Sequence, residues 1–201
     1  MKKFFIIFLF FPLFSLAQRT CGTMINLENQ ILMNPNLEQQ MIQDEFQLQN
    51  FISSTSITAN SIITIPVVVH VVYNNSNENI SDAQIFSQID ILNEDFRRLN
   101  SDTVNTPFMF QSVAADTEIE FCLAVNDPNG NPTTGITRTA TNQNSFNTND
   151  EVKYNASGGI DAWDTEQYLN IWVCDISGGI LGYAQFPGGN PSTDGVVCDY
   201  E

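Results

Sequence analysis

The sequence predicts an α/β fold, with helices packed on a mostly parallel sheet. Three features point to it. Residues 62–73 form a long Val/Ile-rich run without polar alternation. A well-signalled amphipathic helix follows directly. Four further strand-like segments come after it, set off by Gly, Pro and Asn turns. The 201 residues suffice for one sizeable domain with short extensions.

The elements follow in order. Met1-Lys2-Lys3 is a basic start, residues 4–14 are apolar apart from Pro12, and Ser15 and Ala17 place small side chains before Gln18. Residues 1–17 therefore read as a secretory signal peptide, which makes the protein secreted and extracellular. The apolar run is too short for stable membrane insertion. Residues 18–60 read as a leader and linker. Within them 37–51 carries the spacing of a short amphipathic helix, and 53–60 is rich in Ser, Thr and Asn.

The globular part, residues 61–201, opens with the 62–73 strand. β-Branched side chains favour the extended form, and the lack of alternation implies that both faces are covered. Pro66 cannot donate to a ladder, so it belongs near the strand's start or where no N–H donor is needed. Ser81 and Gln84 have the spacing of a capping box, and Ile85, Ile89, Leu92, Phe96 and Leu99 then share one helical face. Residues 117–125 alternate, with Ile119, Phe121, Leu123 and Val125 on one side and Glu118 and Glu120 on the other. The turn Asp127-Pro128-Asn129-Gly130 ends that strand. A polar loop covers 131–149 and a short helical piece 150–155. Strands follow at 168–175, 180–186 and 194–200, giving five in all.

The formal net charge is −16, from 7 basic and 23 acidic residues. Nucleic acid and anionic surfaces want a basic patch, so neither fits as a main partner. The four cysteines, Cys21, Cys122, Cys174 and Cys198, can pair in an oxidising compartment, and their spacing does not choose among the pairings. There is one histidine, His70, inside the most apolar strand, where a buried and hydrogen-bonded imidazole is expected. No phosphate-binding glycine loop, nucleophile elbow or C-x-x-C occurs. The acid pairs Glu118/Glu120 and Glu94/Asp95 read as solvated faces.

Five segments carry a resemblance. They are Ile65-Pro66-Val67-Val68-Val69-His70-Val71-Val72-Tyr73, Gln88-Ile89-Asp90-Ile91-Leu92-Asn93-Glu94-Asp95-Phe96-Arg97-Arg98, Ile119-Glu120-Phe121-Cys122-Leu123-Ala124, Leu169-Asn170-Ile171-Trp172-Val173-Cys174 and Leu181-Gly182-Tyr183-Ala184-Gln185-Phe186-Pro187-Gly188-Gly189. In order and spacing they resemble the pappalysin-like metalloproteases, a metzincin group of the cytophagalysin/ulilysin type. The resemblance implies a twisted, mostly parallel sheet of the metzincin kind with an antiparallel edge strand. That edge, here 180–186, would bind an extended peptide or protein substrate by β-augmentation through Leu181, Gly182, Tyr183, Ala184, Gln185 and Phe186. The alternative is an ordinary sheet strand whose edge is blunted by glycine and proline.

The resemblance also makes residues 18–60 a pro-segment. Arg19-Thr20-Cys21-Gly22 is similar to the family's latency motif, in which Cys21 would be a zinc ligand of the inactive state. A disulfide partner or a free thiol are the other readings of Cys21. The family's zinc helix, H-E-x-x-H-x-x-G-x-x-H, would follow the strand at 194–200. None of its residues is present, so the resemblance makes residues 61–201 the N-terminal subdomain of a catalytic domain, truncated before the active-site helix and inactive alone. It implies zinc in the complete enzyme, and calcium that no residue here allows to be placed. The expectation is the front portion of a secreted zinc-dependent metalloendopeptidase. The alternative is a non-catalytic secreted peptide-binding module on the same scaffold.

Overall fold

The computed structural model describes residues 19–54 and 61–201. The expected signal peptide and most of the expected polar linker lie outside the described residues. Seven strands form one sheet: β1 (Thr20–Cys21), β2 (Ile63–Tyr73), β3 (Ile119–Leu123), β4 (Ile136–Ala140), β5 (Leu169–Cys174), β6 (Ile180–Ala184) and β7 (Val196–Asp199). Their order is β1-β6-β7-β5-β2-β3, with β4 also paired to β2. Every pairing is parallel except β6 with β7. Three α-helices accompany the sheet: α1 (Thr23–Met33), α2 (Leu37–Ser54) and α3 (Asp82–Phe96).

β2 is the spine. Residues 67–72 are all buried, as the unbroken apolar run requires. Val67, Val69 and Val71 face the α3 core with Ile85, Ile89 and Phe121. Val72 faces the opposite core, with Trp172, Cys174, Tyr183 and Val197. Each fully buried valine contributes roughly 1.5–3 kcal/mol relative to exposure. At eleven residues β2 is long enough to pair β3 along Ile63–Val67 and β4 along Val69–Tyr73, end to end on one side. Pro66 lies near its start, as expected.

The Ser81 hydroxyl caps α3 by accepting from the Gln84 N–H at 3.2 Å. Ile85 and Ile89 are buried, and Phe96 stands edge-on to Phe121 with ring centroids 4.8 Å apart. The helix ends at Phe96, before Leu99, which is exposed. Leu99 therefore drops out of the expected apolar stripe. β3 is shorter than the expected 117–125, because Glu118 adopts a left-handed φ of 57° and Val125 is exposed.

The sheet has two strands more than the five expected. β4 hides in a polar loop because its residues are Ile-Thr-Arg-Thr-Ala. β1 is two polar-flanked residues of the leader. The 150–155 piece is a pair of 3-10 turns, Glu151–Lys153 and Asn155–Ser157. The expected leader helix extends to Ser54, but Ile42, Phe46 and Phe51 on it are exposed. All four cysteines are free thiols, Cys174 buried and Cys21 exposed. Among the described residues no helix is long and apolar enough to cross a membrane.

Candidate functional site

β6 is the antiparallel outer strand of the body, as expected, but its outer side is not free. β1 of the leader lies on it in parallel register, Thr20 beside Ile180 and Cys21 beside Gly182. The backbone groups that β6 turns outward are occupied. Gly22 N–H donates to Gly182 O at 2.8 Å, and Ala184 N–H donates to Thr23 Oγ1 at 3.1 Å. Nothing in the residue pattern signals this occupation, since the two residues Thr20-Cys21 carry no strand periodicity. Gly182 has a packing reason to be glycine: a Cβ there would stand 2.6 Å from Val197 O on β7.

The six expected binding residues divide by position. Leu181 is half exposed, and Gly182 and Ala184 present backbone at the edge. Tyr183 is 2% exposed and points into the core, so its side chain is unavailable to a partner. Gln185 and Phe186 lie beyond the strand's end, and Phe186 is half exposed.

The leader is fixed at both ends of this contact. Before β1, Arg19 pairs with the Asp199 carboxylate, whose other oxygen accepts from Ile176 N–H at 2.7 Å. Cys21 projects an exposed sulfur that lies 3.3 Å from Thr23 Oγ1, and hydrogen bonding to Thr23 holds the thiol below its ordinary pKa. After β1, the buried Asn26 donates to Thr148 O at 2.9 Å. Gln30 Nε2 donates to Gln185 Oε1 at 3.0 Å and to Asp150 Oδ2 at 3.3 Å.

Beneath β6 lies a charged cluster that the residue pattern did not reveal. Lys153 is fully buried. Its Nζ is 2.8 Å from Asp150 Oδ1, donates to Thr193 O at 2.6 Å, and stands 5.1 Å from the Tyr183 ring centroid. Burial pushes the Lys153 pKa down, opposed by the Asp150 charge, and burial pushes the Tyr183 phenol up. The one available signal was compositional: Lys153 is the single lysine after Lys3.

His70 is buried as expected. Its Nδ1 is 2.7 Å from Thr137 Oγ1 and its Nε2 is 3.0 Å from Asn170 Oδ1, which also accepts from Trp163 N–H at 2.7 Å. Both nitrogens are committed, so His70 is no metal ligand. Among the described residues no group of three or more His, Cys, Asp or Glu side chains could hold a metal ion. Cys21 alone has the exposure and thiolate tendency of a single soft ligand. The described residues thus do not compose a zinc centre.

The parallel sheet, its one antiparallel outer strand and the packed helices define a class, the metzincin-like fold of metalloproteases. Among solved structures, the chain is similar to those of mirolysin. A promirolysin mutant of Tannerella forsythia is 53% identical, with a TM-score of 0.77 over 90% of this chain and 60% of that one. Mature mirolysin of Tannerella forsythia in complex with a cleaved peptide is 58% identical, with a TM-score of 0.69 over 71% of this chain and 54% of that one. Mirolysin in complex with compound 9 is 59% identical, with a TM-score of 0.68 over 70% and 54%. The chain therefore spans between half and two thirds of the length of these proteins. No family model and no curated protein sequence matches it.

Proposed function

We propose that the chain is the front portion of a secreted, pappalysin-type zinc metalloendopeptidase, carrying its latency segment and its substrate-binding edge. The observation that carries this reading is the seating of the leader on β6, where Gly182 O and Ala184 N–H are both engaged by leader atoms. A strand edge that accepts one extended segment can accept another by the same hydrogen bonds. The pattern of similarity supports the division at 60. The pro-form of mirolysin matches 90% of the chain, whereas mature mirolysin matches 71%, close to the share that residues 61–201 represent. The peptide-bound mature mirolysin supports an extended peptide as the partner.

On this reading Leu181, Gly182 and Ala184 hold a peptide through backbone, and Gln185 and Phe186 bound it at the strand's end. Cys21 would be a ligand to the zinc of the complete enzyme in the latent state. The zinc, when bound, supplies Lewis-acid polarisation and an activated water. This chain's residues bind and orient the peptide, and the leader withholds the edge until it is removed. Residues 1–17 would export the protein, which places its activity outside the cell.

The test uses the complete secreted protein. Cys21→Ser should give casein cleavage before the leader is cut, at rates at least tenfold above the wild-type precursor. Equal latency in both would overturn the role of Cys21. Absence of zinc and of casein cleavage in the fully processed protein, with peptide binding retained, would replace the protease reading by the peptide-binding module.

A further inference from the structure

Where the leader leaves β6, its Gln30 carboxamide lies against the body at the wall of a cavity of about 520 Å³. The body contributes Asp150, Tyr154, Gly188, Asn190 and Thr193 to the lining, and the leader closes it with Gln30, Met33 and Leu37. Gln30 Nε2 meets only acceptors there, Gln185 Oε1 and Asp150 Oδ2.

Those acceptors are positioned by the body. Gln185 Nε2 donates to Asn190 O at 3.0 Å, which fixes the amide with its oxygen turned to Gln30. Thr193 Oγ1 donates to that oxygen at 2.6 Å and holds it. A Cβ on Gly189 would stand 2.5 Å from Gln185 Cδ, so glycine at 189 leaves the room in which this side chain folds inward. Asp150 is buried, with Oδ1 against the Lys153 ammonium and Oδ2 aimed at Gln30. Lys153 is fully buried, pairs with Asp150 and Thr193 O, and takes no part in the cavity lining.

We infer that Gln185 Oε1 and Asp150 Oδ2 form a side-chain subsite for hydrogen-bond donors, occupied by Gln30 in the leader-bound form and open to a Gln, Lys or Arg side chain of a peptide once the leader has gone. Gln185 directly follows β6, so a peptide paired along the strand and continuing past Ala184 runs onto it. A carboxylate would face two acceptors, one of them charged, and an aliphatic side chain would leave Asp150 Oδ2 without this donor and Gln185 Oε1 with Thr193 alone. The inference rests on the proposed release of the leader from β6.

The experiment has two arms. In the complete precursor, hydrogen exchange at the amides of residues 26–30 is measured for wild type, Gln30→Lys, Gln30→Leu and Gln30→Glu. Lys should keep the wild-type protection, and Leu and Glu should each speed exchange at least tenfold. In the second arm, residues 19–60 are cleaved off the complete protein and separated. Fluorescently labelled pentapeptides that differ at one residue are then titrated by anisotropy, so no hydrolysis is needed. Those with Gln, Lys or Arg should bind at least tenfold tighter than those with Leu or Glu, and Gln185→Met should abolish the difference. Exchange unchanged by Leu and Glu, or affinities flat across the peptides, overturns the subsite. Casein cleavage with flat affinities would remove the subsite and leave the protease reading. The donor preference without casein cleavage would do the reverse.

Discussion

His70 shows how a single polar residue is held inside a hydrophobic strand. Thr137 of β4 and Asn170 of β5 come from the two strands that flank β2 at this level, and each satisfies one ring nitrogen. Trp163 N–H donates to Asn170 Oδ1, so that oxygen accepts from the ring as well, and the neutral imidazole donates through Nε2. Burial is the larger influence and lowers the His70 pKa from 6.5 to about 4, while the bond to Asn170 opposes it. The unfolded chain therefore binds more protons than the folded one between those values. Stability is fully present above pH 6.5 and is lost as pH falls toward 4, by roughly 3 kcal/mol from this group. Thermal melts from pH 7 to pH 4.5 should show a falling Tm, and the slope should shrink in His70→Gln. An equal slope in both would refute the assignment. Lys153 is the second such residue. Its charge is matched by Asp150 and a carbonyl, so it costs little only while both remain.

Among the elements, those with a strong one-dimensional signature were legible in the sequence. β2 was read from its valines, α3 from its cap and four-three spacing, and β3 from its alternation. The cap can be tested: Ser81→Ala should destabilise the protein by about 1 kcal/mol through loss of the bond to Gln84 N–H, without changing the sheet. No change in the denaturation midpoint would show that the exposed bond contributes nothing. β4 was illegible because three of its five residues are Thr or Arg. Only its position beside β2, decided by tertiary pairing, makes it a strand. α1 was missed because Asn26, Glu28, Asn29 and Gln30 interrupt its apolar spacing, and they do so where the helix meets polar groups of the body. The edge strand β6 was found through resemblance, whereas its occupant was invisible. The leader binds through backbone atoms and amide side chains, and neither leaves a hydrophobic pattern.

At the scale of the molecule, the leader and the body are joined by a line of polar contacts along one sheet edge. Arg19 to Asp199, β1 to β6, Asn26 to Thr148 and Gln30 to Gln185 follow one another along the chain. Each is modest alone, at about 0.5–1.5 kcal/mol net for an ordinary hydrogen bond. Most of the leader's second helix makes no use of its apolar residues, and Phe46, Ile42 and Phe51 stay exposed. The sheet gains only two leader residues, so the body's own order from β6 to β3 does not depend on them.

In the proposed reading, the leader occupies the same edge on which a peptide binds. Hydrogen exchange at the Ala184 amide, whose one partner outside β7 is Thr23 Oγ1, reads it most directly. The complete protein would be compared before leader removal, after it, and after addition of a peptide to the processed form. Slow exchange, then exchange at least tenfold faster, then renewed protection is the predicted sequence. Protection that stays the same through all three states would contradict it.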